Sequence, residues 1–148
     1  MKIYLANDHT GVAMKQAIAQ HLTSQGHEVI NLGTDDTTAV NYASQGKTLG
    51  LAVANDSGAF GIGICGTGIG ISIAANKVQG IIAGLVYEPQ NAIVTRQHNN
   101  ANIMITGARQ IAIEKAIECV DAFLKTPFEG GRHEERVKTL LTMEGEKK

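Results

Sequence analysis

Five short apolar runs, each followed by a turn signal and then a helical pattern, set the strongest limit on what this chain can fold into. Lys2–Asn7 reads as a strand, and Ala13–Gln25 as a helix that Gly26 ends. Glu28–Leu32 is a second strand, with Tyr42–Asn55 helical after it. Phe60–Ile64 leads into a short helix at Ile69–Asn76, and Ile81–Val86 into a helix at Pro89–Gln97 that has proline in its first turn. Ile103–Thr106 and Ala112–Leu124 complete the series. Parallel strands need long crossovers, so strands alternating with helices predict a parallel sheet covered on both faces. The expected fold is α/β, a three-layer sandwich around a five-stranded sheet, as a single domain over residues 1–148.

Composition narrows the partners. The formal net charge is −1, and aromatic residues are 4% of the chain with no tryptophan. Neither a polyanion-binding surface nor a base-stacking platform is expected, so nucleic acid is not a predicted partner. Cys65 and Cys119 lie far apart with no CxxC pairing, which suits neither a zinc framework nor a disulfide scaffold. No stretch is long and apolar enough for a membrane span, and the first residues do not form a signal peptide. A cytoplasmic location is the expectation.

The segment Phe60-Gly61-Ile62-Gly63-Ile64-Cys65-Gly66-Thr67-Gly68-Ile69-Gly70-Ile71-Ser72 carries the densest chemistry. A strand ends, glycines turn the chain, and a helix begins beyond the carboxyl edge of the expected sheet. Backbone N–H groups can converge there as a nest for a phosphate or for an oxyanion formed during reaction. A bare structural turn is the competing reading. The loop is one residue too tight for a dinucleotide fingerprint, and Gly46-Lys47-Thr48 lacks the earlier glycine of a phosphate loop. Cys65 stands at the mouth of the turn, where a helix N-terminus favours a thiolate able to act as base or nucleophile. Cys119 reads as a buried small side chain.

Asp8-His9-Thr10-Gly11 follows the first strand and so reaches the same edge, either as a proton-transfer or sugar-binding pair or as a helix cap. The only arginines are Arg96, Arg109, Arg132 and Arg136, with Arg132 and Arg136 four apart. They suit phosphate recognition, or else ordinary surface ion pairing. The residues leave a metal site of His9, His98 and His133 open, without tight ligand spacing to support it. Half of the positions from Glu129 to Lys148 are charged, against 18% overall. This tail is either a solvated helix or one that reaches a second subunit through a hinge at Gly130-Gly131.

These motifs resemble the ribose-5-phosphate isomerase B and galactose-6-phosphate isomerase family. The matching segments are Asp8 to Gly11, Ile64 to Lys77, Thr95 to Asn99, and Gly130 to His133 with Arg136, within a similarity running from residue 2 to about 143. The resemblance implies a Rossmann-like sandwich whose C-terminal helix packs on a partner subunit, in a homodimer or tetramer with sites at the subunit boundary. It also implies aldose–ketose isomerisation of a phosphorylated sugar without a metal or organic cofactor. Cys65 would be the base that moves a proton between C1 and C2 through an enediolate. Gly66, Thr67, Gly68, Ile69 and Gly70 would hold the oxyanion, with Thr67 adding its hydroxyl, and His98 would assist ring opening. Asp8 with His9 would bind the sugar or its phosphate end, Asn99 would contact the sugar, and Arg109, Arg132 and Arg136 the phosphate, some of them from the neighbouring subunit. Asn41-Tyr42-Ala43 stands where relatives usually carry Asp-Tyr-Pro, near the sugar end of the site. Ribose 5-phosphate is the leading substrate. The alternatives are allose or galactose 6-phosphate, or a non-catalytic sugar-phosphate-binding subunit.

Overall fold

Side chains alternate between the two faces of a strand, and in this protein both faces are buried. The computed structural model describes residues 1–143. Strands β1 (Lys2–Asn7), β2 (Glu28–Asn31), β3 (Phe60–Cys65), β4 (Ala83–Leu85) and β5 (Ile103–Gly107) form one sheet in the order β2-β1-β3-β5-β4. Every pairing is parallel. The helices are α1 (Val12–Ser24), α2 (Tyr42–Ala54), α3 (Ile69–Asn76), α4 (Pro89–Asn99), α5 (Ile113–Lys125) and α6 (His133–Thr142), and a 3-10 turn spans His9–Gly11.

One sheet face sends Ile3, Leu5, Ile62, Ile64 and Met104 into a core shared with Ile18 and Leu22 of α1 and with Val120 and Phe123 of α5. The other sends Ala6, Cys65, Ile103 and Ile105 against Leu49 and Val53 of α2 and Ile71 and Ala75 of α3. On this second face β3 also carries Gly61 and Gly63. A Cβ on Gly63 would fall 2.5 Å from Ile105 Cδ1 and 3.0 Å from Leu49 Cδ2, so the missing side chain is what admits α2 so close to the sheet. Cys65 ends the same strand on the same face, directed toward the layer that contains α3.

The expected alternation of elements and the parallel sheet are both present, with most ends within two residues of the sequence reading. α1 stops at a Schellman turn: the N–H of Gly26, at φ 87°, bonds to Thr23 O, and that of His27 to Leu22 O. The run Ile81–Val86 contributes only Ala83–Leu85 to the sheet. β4 is an edge strand paired to β5 alone, and the N–H of Ile82 goes to the side chain of Asn102 at 3.0 Å. α6 lies on α4 of its own chain, burying His133 and Val137 and leaving Leu140, Leu141 and Met143 exposed. The last five residues of the charged tail lie outside the described residues.

Arg96 is turned into the protein. Its Nε donates to Thr126 O at 3.0 Å, and its Nη1 to Asn100 Oδ1 at 3.0 Å and Ala101 O at 2.7 Å. The guanidinium carbon also lies 5.1 Å from the Phe60 ring centroid and 5.8 Å from that of Phe123. One cation therefore ties the end of α4 to the segment after α5 and to the start of β3. Arg96→Met keeps the stem but strands the carbonyls, and is expected to lower unfolding stability by about 2–4 kcal/mol in urea titration. A loss below about 0.5 kcal/mol, typical of a surface change, would mean that the strap is not needed.

Candidate active site

In a parallel sheet the segments that follow the strands gather at one edge, and ligands bind where neighbouring connections leave in opposite directions. That point lies here between β1, whose chain passes to β2 on one side, and β3 on the other. Asn7 and Ile64 are register partners, and the N–H of Asp8 bonds to Ile64 O at 3.0 Å, so Asp8 emerges beside Cys65. A cleft of about 440 Å³ opens over this point, lined by Asp8, Tyr42, Cys65, Gly66, Thr67, Ile69, Gly70 and Ile73.

Cys65 is 4% exposed at the floor of the cleft. The N–H of Gly68 donates to its sulfur at 3.1 Å, closing the turn onto the thiol. Gly68 caps α3 at φ 84°, in the left-handed region. A Cβ there would also lie 2.7 Å from Leu85 Cδ1 and 2.9 Å from Thr106 O, so both conformation and space demand glycine. Thr67 Oγ1 accepts the N–H of Ile69 at 3.1 Å, which leaves its own proton to donate outward. The loop thus presents a thiol, a hydroxyl and the N-terminal end of a helix to one small volume.

Asp8 fulfils both readings of its motif. Oδ1 accepts the N–H of Thr10 at 3.0 Å and its hydroxyl at 2.6 Å, as a cap does, while the residue also lines the cleft. His9 Nδ1 accepts the N–H of Val40 at 3.3 Å, an arrangement that places the ring proton on Nε2. Beneath the loop that delivers Val40, Lys15 is buried at 2% exposure. Its ammonium bonds to Asn31 Oδ1 at 3.1 Å, to Thr34 O at 3.0 Å and to the Asp35 carboxylate. Hydrogen bonds from Lys15 and then Asn31 hold Asp35 below its usual carboxyl range. Arg109 also stands at this edge: its N–H bonds to Gly66 O at 2.9 Å, and its guanidinium faces the open side of Gly66.

The remaining predicted residues occupy the opposite edge. His98 and Asn99 end α4, whose Arg96 packs on Phe60, the first residue of β3. Cys65 is the last residue of that strand, so roughly 16 Å of extended chain separates the two groups. His98 stacks on His133 with ring centroids 4.3 Å apart and planes 11° from parallel. Arg132 and Arg136 flank His133 on α6, and Arg136 Nη1 donates to Arg132 O at 2.5 Å. His98, Glu129 and His133 could offer ligand atoms within 4.8 Å of one another. A metal must lie near the plane of each imidazole it binds, however, and these stacked planes share no such point. Within one chain His9 is at the other edge, so the three histidines do not meet.

Two cleft residues escaped the sequence reading as individual site residues, Tyr42 and Ile73. The Tyr42 ring lies where a Cβ on Gly70 would be, 2.1 Å from Cε1. The changed segment around Tyr42 keeps its local role: Asn41 Oδ1 accepts the N–H of Ala43 at 2.8 Å and of Ser44 at 3.4 Å, capping α2. Proline at position 43 would have no N–H for the first of these bonds.

Fold and site together define an α/β protein with a thiol and a glycine-rich turn at the switch point of a parallel sheet. The chain belongs to the Ribose/Galactose Isomerase family, which it matches over residues 3–140. Ribose-5-phosphate isomerase B of Escherichia coli strain K12 is 43% identical to it across 97% of this chain and 96% of the relative. The solved ribose-5-phosphate isomerase B of Clostridium thermocellum superposes with a TM-score of 0.93, at 42% identity and 97% coverage of each chain. That of Mycoplasma genitalium, determined with bound ribulose 5-phosphate, gives 0.95 at 38% identity, covering 99% of this chain and 97% of the other. No helix among the described residues is long and apolar enough to cross a membrane.

Burial, with smaller effects from His98, Arg132 and Arg136 that outweigh the opposing Glu129, lowers the His133 pKa from its ordinary 6.5. The unfolded chain therefore takes up a proton near pH 6.5 that the folded chain accepts only at lower pH, so stability falls as pH drops through that interval. Thermal midpoints should decrease from pH 7.5 to 5.5, and less so in His133→Gln. An identical pH dependence in the variant would remove His133 from this account.

Proposed function

We propose that this isomerase interconverts ribose 5-phosphate and ribulose 5-phosphate through an enediolate, with Cys65 as the base. The observation that carries the reading is the placement of Cys65, Thr67 and the start of α3 around one cleft, in a fold whose Mycoplasma genitalium relative holds ribulose 5-phosphate.

The chemistry follows from what each group can do. The Cys65 thiolate removes the proton from C2 of the open-chain aldose, and the electron pair left behind forms the C1–C2 double bond while charge moves to the C1 oxygen. N–H groups of the turn from Gly66 to Gly70, other than those of Gly68 and Ile69 that bond to Cys65 Sγ and Thr67 Oγ1, stabilise that charge as it forms, together with the Thr67 hydroxyl. The same proton returned to C1, with a proton passing from the C2 hydroxyl to the C1 oxygen, gives the ketose. Hydrogen is redistributed within one molecule, so the balance requires no electron acceptor. In this proposal the oxyanion is met by protein donors and not by a metal ion, and chelation with EDTA leaves the rate unchanged.

Ring opening by His98, sugar contact by Asn99, and phosphate capture by Arg132 and Arg136 complete the reaction, with Asp8, His9 and Arg109 acting from the Cys65 edge. Since His98 and the two α6 arginines stand at the far edge of their own sheet, a second copy supplies them. Exposed apolar side chains beside the cleft support such a neighbour: Tyr42 is 48%, Ile69 51% and Ile73 56% exposed. A two-fold pairing makes each protomer give its Cys65 edge to one site and its α4–α6 edge to the other.

Cys65→Ala should lower turnover by about 10³-fold or more while ribulose 5-phosphate still binds, because a base is removed and not an anchor. Arg136→Ala should instead raise KM about tenfold or more through loss of a phosphate contact. Steady-state assays with ribose, allose and galactose phosphates, with calorimetric binding alongside, check both. Turnover that survives Cys65→Ala contradicts the base assignment, and higher kcat/KM on a hexose 6-phosphate contradicts the substrate.

A further inference from the structure

The peptide joining Thr67 to Gly68 has partners at both ends. Its N–H donates to Cys65 Sγ at 3.1 Å, and its carbonyl accepts the Tyr87 hydroxyl at 2.5 Å. In a planar trans peptide these two groups point in opposite directions, so Tyr87 and Cys65 grip one rigid unit from opposite sides. Gly107 admits the carbonyl between them, since a Cβ there would come within 2.6 Å of Thr67 O. Gly68, with no side chain and φ 84°, permits the peptide orientation. A short bond to the carbonyl also polarises the peptide and strengthens its N–H as a donor.

Tyr87 itself is fixed by the fold. It follows Val86, whose N–H bonds to Ile105 O at 2.8 Å and whose carbonyl accepts the Thr106 hydroxyl at 2.6 Å. The next residue, Glu88, is held by Lys115 at 3.0 Å. The tyrosine is thereby carried on the edge connection after β4, a different element from the turn it braces.

We propose that Tyr87 is a positioning residue for the isomerisation, holding the Thr67–Gly68 peptide so that its N–H stays directed at the Cys65 sulfur. The inference rests on the base role given to Cys65 above. Tyr87 does not line the cleft, so its effect falls on the base and on the turn, not on substrate affinity. Without its hydroxyl the peptide can rotate, and the sulfur loses an aligned donor when it becomes anionic.

Tyr87→Phe retains the ring and removes only the hydrogen bond. For ribose 5-phosphate the expected result is a fall in kcat of about 5- to 20-fold with KM within about twofold. Alkylation of Cys65 by iodoacetamide at pH 7, followed by mass spectrometry of the Cys65 peptide, should slow about two- to fivefold. Unchanged kcat together with unchanged alkylation would overturn the proposal, as would a rise in KM at constant kcat. Alkylation needs no substrate, so it separates the two levels of the argument. Slower alkylation alongside turnover that survives Cys65→Ala would keep the peptide geometry but sink the catalytic role. Loss of turnover in Cys65→Ala with wild-type behaviour in Tyr87→Phe would overturn this inference alone.

Discussion

All five strands run in the same direction, and from that the rest of the molecule follows. Parallel pairing brings every segment that leaves a strand to one edge and every segment that enters a strand to the other. Asp8 and the turn from Cys65 to Gly70 leave strands, so they meet. His98 and Asn99 close the helix that leads back into β5, so they emerge at the far side with α6 over them. A sheet one strand deep keeps the two groups apart, and no rotamer change could bridge a gap of roughly 16 Å. In the proposed reaction, the use of two copies at each site thus follows from sheet direction.

The reactive edge is built with little freedom. Gly63 lets α2 approach the sheet, Gly68 lets the turn close over the thiol, and Tyr42 fills the space at Gly70. Below the neighbouring loop, the buried Lys15 ammonium gathers Asn31, Thr34 and Asp35, while Val40 at the end of that loop holds His9. Preorganisation of this kind has a direct catalytic use, because donors already in place stabilise developing charge without having to reorient.

Local pattern made much of this legible in the sequence. The alternation of apolar runs with helical spacing gave the sheet and its covering helices, and Gly26 marked a real helix end. The glycines around Cys65 identified the turn because Gly63, Gly68 and Gly70 each remove a side chain from a crowded space. Long-range partners were hidden. Nothing near Arg96 in sequence announces that its guanidinium reaches Thr126 and Phe123, so it read as a candidate for phosphate when it is a strap. Tyr87 lies 20 residues from the carbonyl it holds, and Lys15 occupies an ordinary helical position while being nearly inaccessible. The division of the predicted site between two sheet edges was equally invisible to local pattern, since it depends on strand order and on where α4 ends; only the family resemblance pointed to a subunit boundary.

The central claim is that one protomer's Cys65 edge works with its neighbour's α4–α6 edge, and mixing two inactive variants tests it most directly. Cys65→Ala and His98→Asn homodimers are each expected to be inactive. Co-refolded in equal amounts as dimers, they should recover about a quarter of wild-type activity, because half of the dimers are mixed and each of those holds one intact site. Mixtures as inactive as the parents would contradict the shared site and require Cys65 and His98 to act from the same chain.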